Sequence, residues 1–308
     1  MITAFYHPGF AAPIGERHIM PMRKFGLIAG QLRSYANVRL EEPAPVTEEQ
    51  LRFVHTPEYI EAVRTGAPRE LAESQKFPWN QALFPSVSLT NGACVAAARR
   101  ALRDGVAAAL ASGFHHAHAD HGEGFCTFNG LVVAADALKR SDEVKRVAIL
   151  DLDLHYGNGT AALAVARDYL TALSIYGSDY WDNKAYLDVT TRRHEDGANH
   201  FSATLPRGCD GKRLNASLDE HLLRLLECGQ PDLLLYQAGA DPLGDDPYSP
   251  LALTHTDLLE RDRRVFEFAR QNALPIAWVL AGGYTRDVSK VVEVHVNTFK
   301  AAASVFAK

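Results

Sequence analysis

The stretch Val147-Ala-Ile-Leu-Asp-Leu-Asp-Leu-His-Tyr-Gly-Asn-Gly-Thr160 passes directly from apolar residues to three polar ones, Asp151, Asp153 and His155. Alternate residues of a strand point to the same face, so the pattern predicts that these side chains share one face. Two glycines and an alanine-rich run follow, and they predict a tight turn into a helix. Two carboxylates and an imidazole at the carboxyl end of a buried strand suit a divalent metal. The alternative is that the aspartates cap the helix and His155 fills a polar turn.

The composition describes a chain that can build a large core. It has 308 residues, of which 47% are hydrophobic, and we expect a single domain over residues 1–308. The formal charge of -5 argues against a nucleic-acid surface but permits a cationic substrate. The four cysteines form no Cys-x-x-Cys pair, which indicates neither a disulfide framework nor a thiolate zinc site. No signal-peptide pattern or membrane-length apolar run is present, so a cytoplasmic location is expected.

Apolar runs alternate with helical patterns along the chain, which predicts an α/β fold with a mostly parallel sheet and helices on both faces. Strands are predicted at residues 2–6, 106–111, 146–150, 170–176, 233–238 and 275–280. Helices are predicted at residues 20–35, 47–64 (two short ones), 91–103, 129–139, 218–227, 257–271 and 288–307. Residues 76–85 and 177–199 are predicted to be loops, the second of them long enough to be functional.

Four of the predicted strands are followed by the residue types that a hydrolase needs. The first leads to His115 and His116, the second to the Asp151 stretch, the third to Asp241, and the last to Gly282, Gly283 and Tyr284. Taken alone, the histidine pair could be loop residues of no special role, Asp241 could cap a turn, and the glycines could form only a bend. Parallel strands end at the same edge of the sheet. The polar residues that follow these four strands are therefore expected to meet there and to form a common site.

These segments resemble the zinc-dependent histone deacetylase family, which also includes bacterial acetylpolyamine amidohydrolases and acetoin-utilisation proteins. The matching pieces are Gly113-Phe-His-His-Ala117, Gly124-Phe-Cys-Thr-Phe-Asn129, Asp151-Leu-Asp-Leu-His155, Gly157-Asn-Gly159, Gln237-Ala-Gly-Ala-Asp-Pro-Leu243 and Gly282-Gly-Tyr284. Their order and spacing agree with the family from about residue 113 to residue 284. The short chain and the asparagine at 158 look closer to the class IV and class II branches. The resemblance implies a single-domain, three-layer arginase/deacetylase-like fold.

The resemblance also implies a role for each of the polar groups. It gives Asp153, His155 and Asp241 as metal ligands, with zinc as the expected ion and iron as the alternative. It gives His116 as general base and then general acid, with His115 beside it, and Tyr284 as the donor to the developing oxyanion. Asp151 and Asn158 match the partners of the two histidines.

Further residues match the family's substrate and cation sites. The residues implied for substrate binding are Gly124, Phe125, Tyr180, Trp181, Leu243 and Gly283. The residues implied for a structural K⁺ or Na⁺ are Asp151, Asp153, His155, Ser174 and Ile175, mainly through backbone oxygens. Four other histidines, at positions 118, 121, 194 and 200, have no assigned role and are expected on the surface or in loops.

The expected activity is hydrolysis of N-acyl amide bonds on lysine side chains, and the motifs do not separate it from hydrolysis of acetylpolyamines. A catalytically silent acyl-lysine binding module is the alternative from another class, and it would be expected to lose a ligand or a catalytic group. The arginase fold shares this architecture but uses two metals. No Asp-x-Asp follows Ala240, which favours a single ion. No membrane or nucleic-acid partner is expected.

Overall fold

The strands form one eight-stranded parallel sheet in the computed structural model, which describes residues 1–15, 18–177 and 196–306. The strands are β1 (Ile2–Phe5), β2 (Val38–Glu41), β3 (Val106–Ser112), β4 (Val147–Asp151), β5 (Leu170–Gly177), β6 (His200–Leu205), β7 (Leu233–Ala238) and β8 (Ile276–Leu280). Their order across the sheet is β2-β1-β3-β8-β7-β4-β5-β6, and every neighbouring pair is parallel. The predicted α/β class is confirmed.

The central strands are buried along their whole length, because β3, β4, β7 and β8 contain no exposed residue. Side chains of a strand alternate between faces, so both faces of the sheet are covered. The helices are α1 (Lys24–Leu32), α2 (Glu48–Arg52), α3 (Pro57–Thr65), α4 (Arg69–Ala72), α5 (Leu83–Asp104), α6 (Gly130–Arg140), α7 (Asn158–Ala164), α8 (Gly211–His221), α9 (His255–Gln271) and α10 (Val288–Phe306). Within the described residues, no helix combines the length and the apolar composition needed to cross a bilayer.

Several helix ends follow directly from local sequence. Thr47 and Gln50 form the reciprocal capping box that begins α2, and Thr56 caps α3 ahead of Pro57. Asn129 accepts a hydrogen bond from the Val132 backbone and thereby begins α6. These contacts confirm the two short helices and the start of the helix predicted near residue 129.

Some elements differ from the sequence prediction. The strands β2 and β6 were missed, because both are partly exposed outermost strands without a continuous apolar run. The helix α5 begins at Leu83, inside the predicted loop 76–85, since Pro85 is tolerated in a first helical turn. The short helix α4 was also missed. The helix predicted at 218–227 begins earlier, as α8, and residues Leu222–Leu226 tighten into a 3₁₀ turn.

A buried histidine connects three of these segments. His55, between α2 and α3, is only 2% exposed. Its Nδ1 donates to the backbone oxygen of His118 at 2.9 Å, and its Nε2 accepts from the backbone N–H of Asn129 at 3.0 Å. Burial lowers the pKa of His55 to about 3. Protonation of Nε2 would place two N–H groups against each other, so the fold requires the neutral imidazole.

We predict that His55 makes stability fall with acidification. Its pKa in the folded state lies below the unfolded value of about 6.5, so its contribution is complete above that pH and is lost as the pH falls toward the folded value. Between pH 6 and pH 5 the wild-type protein should lose about 1 kcal/mol more unfolding free energy than a His55→Gln variant, measured by urea denaturation. A His221→Gln control, at the carboxyl end of α8 where the ring is partly exposed, should keep the wild-type slope. Identical slopes in all three proteins would contradict this role.

Candidate active site

The site begins where β4 ends. The strand stops at Asp151, and Asp153 and His155 lie in the bend that follows. The prediction that all three share one face of a strand is therefore wrong, because only Asp151 belongs to the strand. Asp153 nevertheless contacts both of the others. Backbone contacts explain why: Asp151 Oδ1 accepts from the N–H of Asp153 at 3.1 Å, and Asp153 Oδ1 accepts from the N–H of His155 at 2.9 Å. Each carboxylate thus shapes the turn that presents the next side chain.

Asp241 joins this group from the loop after β7. One ligand atom from each of Asp153, His155 and Asp241 lies within 4.8 Å of the others, and all three residues are buried. His155 Nδ1 is 3.1 Å from Asp153 Oδ1 and 3.1 Å from Asp241 Oδ2. Across residues 1–15, 18–177 and 196–306 this is the one such group of three or more His, Cys, Asp or Glu side chains.

Burial and neighbouring charges perturb the protonation of all three side chains. Burial, reinforced by the charge of Asp153, raises the pKa of Asp241 to about 6. Burial also opposes ionisation of Asp153, but the nearby His115 and His155 outweigh it and hold its pKa well below the usual value. Burial disfavours protonated His155, yet Asp153 and Asp241 raise its pKa to about 10. Two buried carboxylates with an imidazole form a donor set suited to a divalent cation.

The backbone packs closely around these donors. The N–H of Gly282 donates to Asp153 Oδ2 at 2.8 Å, and the N–H of Leu154 donates to Asp241 Oδ1 at 3.0 Å. A Cβ on Gly282 would lie 1.9 Å from Asp241 Oδ2. The glycine therefore makes room for the carboxylate, and the residues fit a metal site.

Two adjacent buried histidines lie beside this cluster, with ring centroids 3.9 Å apart. His115 Nδ1 contacts Asp151 Oδ2 at 2.6 Å, whereas His116 Nδ1 contacts Asn158 Oδ1 at 2.7 Å. Burial opposes protonation of His115, but the carboxylates of Asp151 and Asp153 raise its pKa. Burial and the neighbouring imidazoles hold the pKa of His116 well below its usual value. The pair therefore combines a histidine that favours its charged form with one that favours its neutral form.

The orientation of the Asn158 amide is fixed by residues that the sequence analysis did not identify. Its Nδ2 lies 2.5 Å from Glu123 Oε2 and 3.2 Å from His118 Nε2. The amide oxygen therefore faces His116, and since it can only accept, His116 Nδ1 carries the proton. His118, expected on the surface or in a loop, lies in a loop, where it is half-buried in this network. No periodicity or motif in the sequence pointed to Glu123.

Tyr284 approaches the cluster from the end of β8. Its ring centroid is 6.3 Å from that of His155 and 6.2 Å from that of Phe125. The backbone N–H of Tyr284 donates to Asp246 Oδ2 at 2.6 Å, and Gly283 before it has a φ of +134°. That backbone conformation is one that glycine adopts readily. Asp246, another residue not assigned beforehand, therefore holds the turn that carries Tyr284.

The sequence also gave no prediction for two buried cations, Lys24 and Arg261, which contact the loops of the site. Lys24 in α1 is fully buried and donates to the Ala281 oxygen at 2.5 Å, and burial lowers its pKa to about 8. Arg261 in α9 donates to the oxygens of Leu152 at 3.1 Å and Gly239 at 2.7 Å. Lys24 lies on the buried i, i+4 face of its helix, which was a sequence signal that could have found it.

The residues assigned to substrate binding lie around this site where the structure describes them. Phe125 has a φ of +66° and stacks on Phe77 at 5.6 Å. A Cβ on Gly124 would lie 2.4 Å from His116 Cδ2, so this glycine backs the imidazole. Leu243 is buried, and its N–H donates to the oxygen of Ala240. Tyr180 and Trp181 lie outside the described residues.

The residues assigned to a monovalent cation are neighbours. Asp151 of β4 pairs in register with Ser174 of β5, and Ile175 follows as a buried residue. Ser174 Oγ accepts from the N–H of Gly157 at 3.3 Å. Binding of K⁺ or Na⁺ here stays a prediction.

The structure thus combines a parallel α/β sheet with a buried His/Asp cluster at the carboxyl edge of that sheet. A model of the histone deacetylase domain matches residues 18–299. The chain therefore belongs to the histone deacetylase family, a family of deacetylases and amidohydrolases.

Relatives of this chain include an uncharacterized protein, an acetylpolyamine amidohydrolase and a histone deacetylase. An uncharacterized protein of Picosynechococcus sp. is 30% identical over 98% of both chains. Acetylpolyamine amidohydrolase of Burkholderia pseudomallei is 32% identical over 75% of this chain and 67% of its own length. Histone deacetylase 2 of Arabidopsis thaliana is 28% identical over 82% of this chain, and the match spans 65% of the plant protein.

Solved structures confirm the fold. The HD domain of HDA15 superposes with a TM-score of 0.81 over 98% of this chain and 90% of that domain, at 20% identity. Acetylpolyamine aminohydrolase from Burkholderia pseudomallei superposes with a TM-score of 0.79 over 99% of both chains, also at 20% identity.

We predict that the protein binds one divalent ion per chain at Asp153, His155 and Asp241. An Asp241→Ala variant should lose the ion, because the remaining two donors leave the coordination incomplete. Elemental analysis after extensive dialysis measures the stoichiometry. An Asp245→Ala variant is the matched control, since this exposed carboxylate pairs with Lys290 instead. Two tightly bound ions per wild-type chain, or full retention of the ion in Asp241→Ala, would rule out the assignment.

Proposed function

We propose that this protein is a zinc-dependent deacylase that hydrolyses N-acyl, chiefly acetyl, amide bonds on lysine side chains. The observation that carries the proposal is the buried Asp153, His155 and Asp241 cluster beside the His115 and His116 pair. The family is one of deacetylases and amidohydrolases, and relatives named histone deacetylase and acetylpolyamine amidohydrolase support an acylated amine as substrate.

Asp153, His155 and Asp241 would hold the zinc ion. When bound, zinc would lower the pKa of a water molecule to about 7 and polarise the acyl carbonyl. Iron is the alternative ion, and elemental analysis of protein purified without added metal distinguishes the two.

The chain itself supplies the proton transfers. His116, neutral and with its Nε2 available as an acceptor, takes a proton from the attacking water as the oxygen–carbon bond forms. The carbon–nitrogen bond then breaks, and the same nitrogen returns the proton to the leaving amine. One water is consumed, and a carboxylic acid and an amine are released. His115, held by Asp151, contributes positive charge beside the developing oxyanion.

Tyr284 would donate its hydroxyl hydrogen to the oxyanion. The Gly282–Gly283 turn brings the residue to the cluster, and the Asp246 carboxylate holds its backbone in place. A donor fixed in advance needs little reorganisation when the negative charge develops, so it stabilises the transition state more than the substrate.

Replacement of His116 by alanine should reduce turnover by about 10²- to 10⁴-fold while the metal is retained, because general acid-base catalysis contributes that much. The measurement is kcat on an acetyl-lysine peptide, with metal content determined on the same sample. His115→Ala should have a milder effect, and His221→Ala at the carboxyl end of α8, outside the site, should have none. A larger loss in His115→Ala than in His116→Ala would reverse the two assignments.

Tyr284→Phe should lower kcat by about 10²- to 10³-fold, because it removes one hydroxyl aimed at the oxyanion. Thermal unfolding should change little, since the ring and its backbone contacts remain. Tyr35→Phe, in the turn between α1 and β2, is the matched control. An unchanged kcat in folded Tyr284→Phe would assign oxyanion stabilisation to another donor.

The competing function is hydrolysis of acetylated polyamines, which the names of two relatives support. The ratio of kcat/KM for an acetyl-lysine peptide, a longer-chain acyl-lysine peptide and acetylputrescine tests the proposal. We expect a lysine peptide to be preferred. A tenfold advantage of acetylputrescine, about 1.4 kcal/mol in transition-state binding, would replace lysine by polyamine as the substrate.

A further inference from the structure

A cleft of about 1000 Å³ opens beside Tyr284, and we call it the outer cleft. Its described walls include His18, Arg23, Tyr248, Tyr284 and Arg286. Arg23 immediately precedes α1, and Arg286 follows Tyr284 by two residues, so the cations approach from different segments. Both arginines are exposed, and neither forms an ion pair with any residue in the described ranges.

In the part of the chain that the structure describes, the acidic residues near this cleft already have partners. Asp246 is buried and accepts from the backbone N–H groups of Tyr284 at 2.6 Å and Tyr248 at 3.1 Å. Asp245 pairs with Lys290. Asp287 accepts from the backbone and the hydroxyl of Ser289. Among the residues that the structure describes, no Asp or Glu lines the outer cleft.

We propose that the outer cleft binds a carboxylate of the substrate through Arg23 and Arg286. This inference rests on the proposed deacylase function and narrows its substrate class. It favours an acylated lysine with an acidic group nearby over an acetylated polyamine, whose second ammonium group would meet two arginines. The carboxylate belongs to an acidic residue flanking the acylated lysine in a peptide, and free Nε-acetyl-lysine tests the amino acid's own carboxylate as the other source.

The expected effect on kcat/KM is small, because both arginines are exposed to solvent. Guanidinium groups match carboxylates in geometry, but exposed ion pairs are weak and are screened by salt. Each arginine should therefore change kcat/KM by about threefold, and the two together by about tenfold. Most of that discrimination should disappear at about 0.5 M salt, because the screening length becomes comparable to the distance between the paired charges.

The experiment compares three acetyl-lysine peptides that differ only in the flanking residues, which are aspartate, glutamine or lysine. Free Nε-acetyl-lysine and acetylputrescine complete the panel, so that a peptide carboxylate and a small-molecule carboxylate are distinguished. The proteins are the wild type, Arg23→Gln, Arg286→Gln, the double variant and Arg33→Gln. Arg33 is an exposed cation at the opposite end of α1 and is the matched control.

We expect the wild type and Arg33→Gln to prefer the aspartate peptide over the lysine peptide by about tenfold, and the double variant to lose this preference. Equal kcat/KM values for the two peptides, a preference for the lysine peptide, or a preference that survives in the double variant would overturn the proposal. Peptide binding to zinc-loaded His116→Ala protein, measured by fluorescence polarisation, gives the same comparison without turnover. Absence of hydrolysis for every substrate would overturn the deacylase function, while the binding series still decides the inference about the cleft.

Discussion

The structure depends on holding two carboxylates, Asp153 and Asp241, together in its interior. Removing each ion from water costs several kcal/mol, and the two repel each other when both are charged. Backbone N–H groups from Gly282 and Leu154 meet one oxygen of each carboxylate, and His155 lies between them. These contacts come from three different strand ends, so the site forms only when the central sheet is in register.

Two buried cations, Arg261 and Lys24, contact the backbone of the loops that form the site. Arg261 donates to the carbonyl oxygens next to Asp153 and two residues before Asp241, and it therefore ties the two ligand-bearing loops to one rigid helix. Its charge is offset by Asp262, which also accepts from the hydroxyls of Tyr236 and Thr298. Breaking a buried network of this kind leaves uncompensated charges, so the loops that carry the ligands are tied to the stability of the core. Lys24 supports the third loop in the same way through Ala281.

The sequence predicted the parts of this structure that local pattern determines. The continuous apolar runs gave the four central strands, and the polar residues after them gave the site, because parallel strands end at a common edge. The outer strands β2 and β6 were not predicted, because partly exposed strands lack a continuous apolar run. The contacts of Lys24, Glu123 and Arg261 were missed for a different reason. Lys24 and Ala281 are 257 positions apart, and Arg261 and Leu152 are 109 apart, so only the folded chain shows their contacts.

The two histidines show how partners assign different chemistry to identical side chains. His115 faces the carboxylate of Asp151, which favours the imidazolium, whereas His116 faces the neutral amide of Asn158. An amide alone could present either its oxygen or its nitrogen. Glu123 removes that freedom by accepting from Asn158 Nδ2, and the amide oxygen then requires a proton on His116 Nδ1. A carboxylate outside the metal cluster thereby keeps Nε2, the nitrogen that a general base needs, in its unprotonated form.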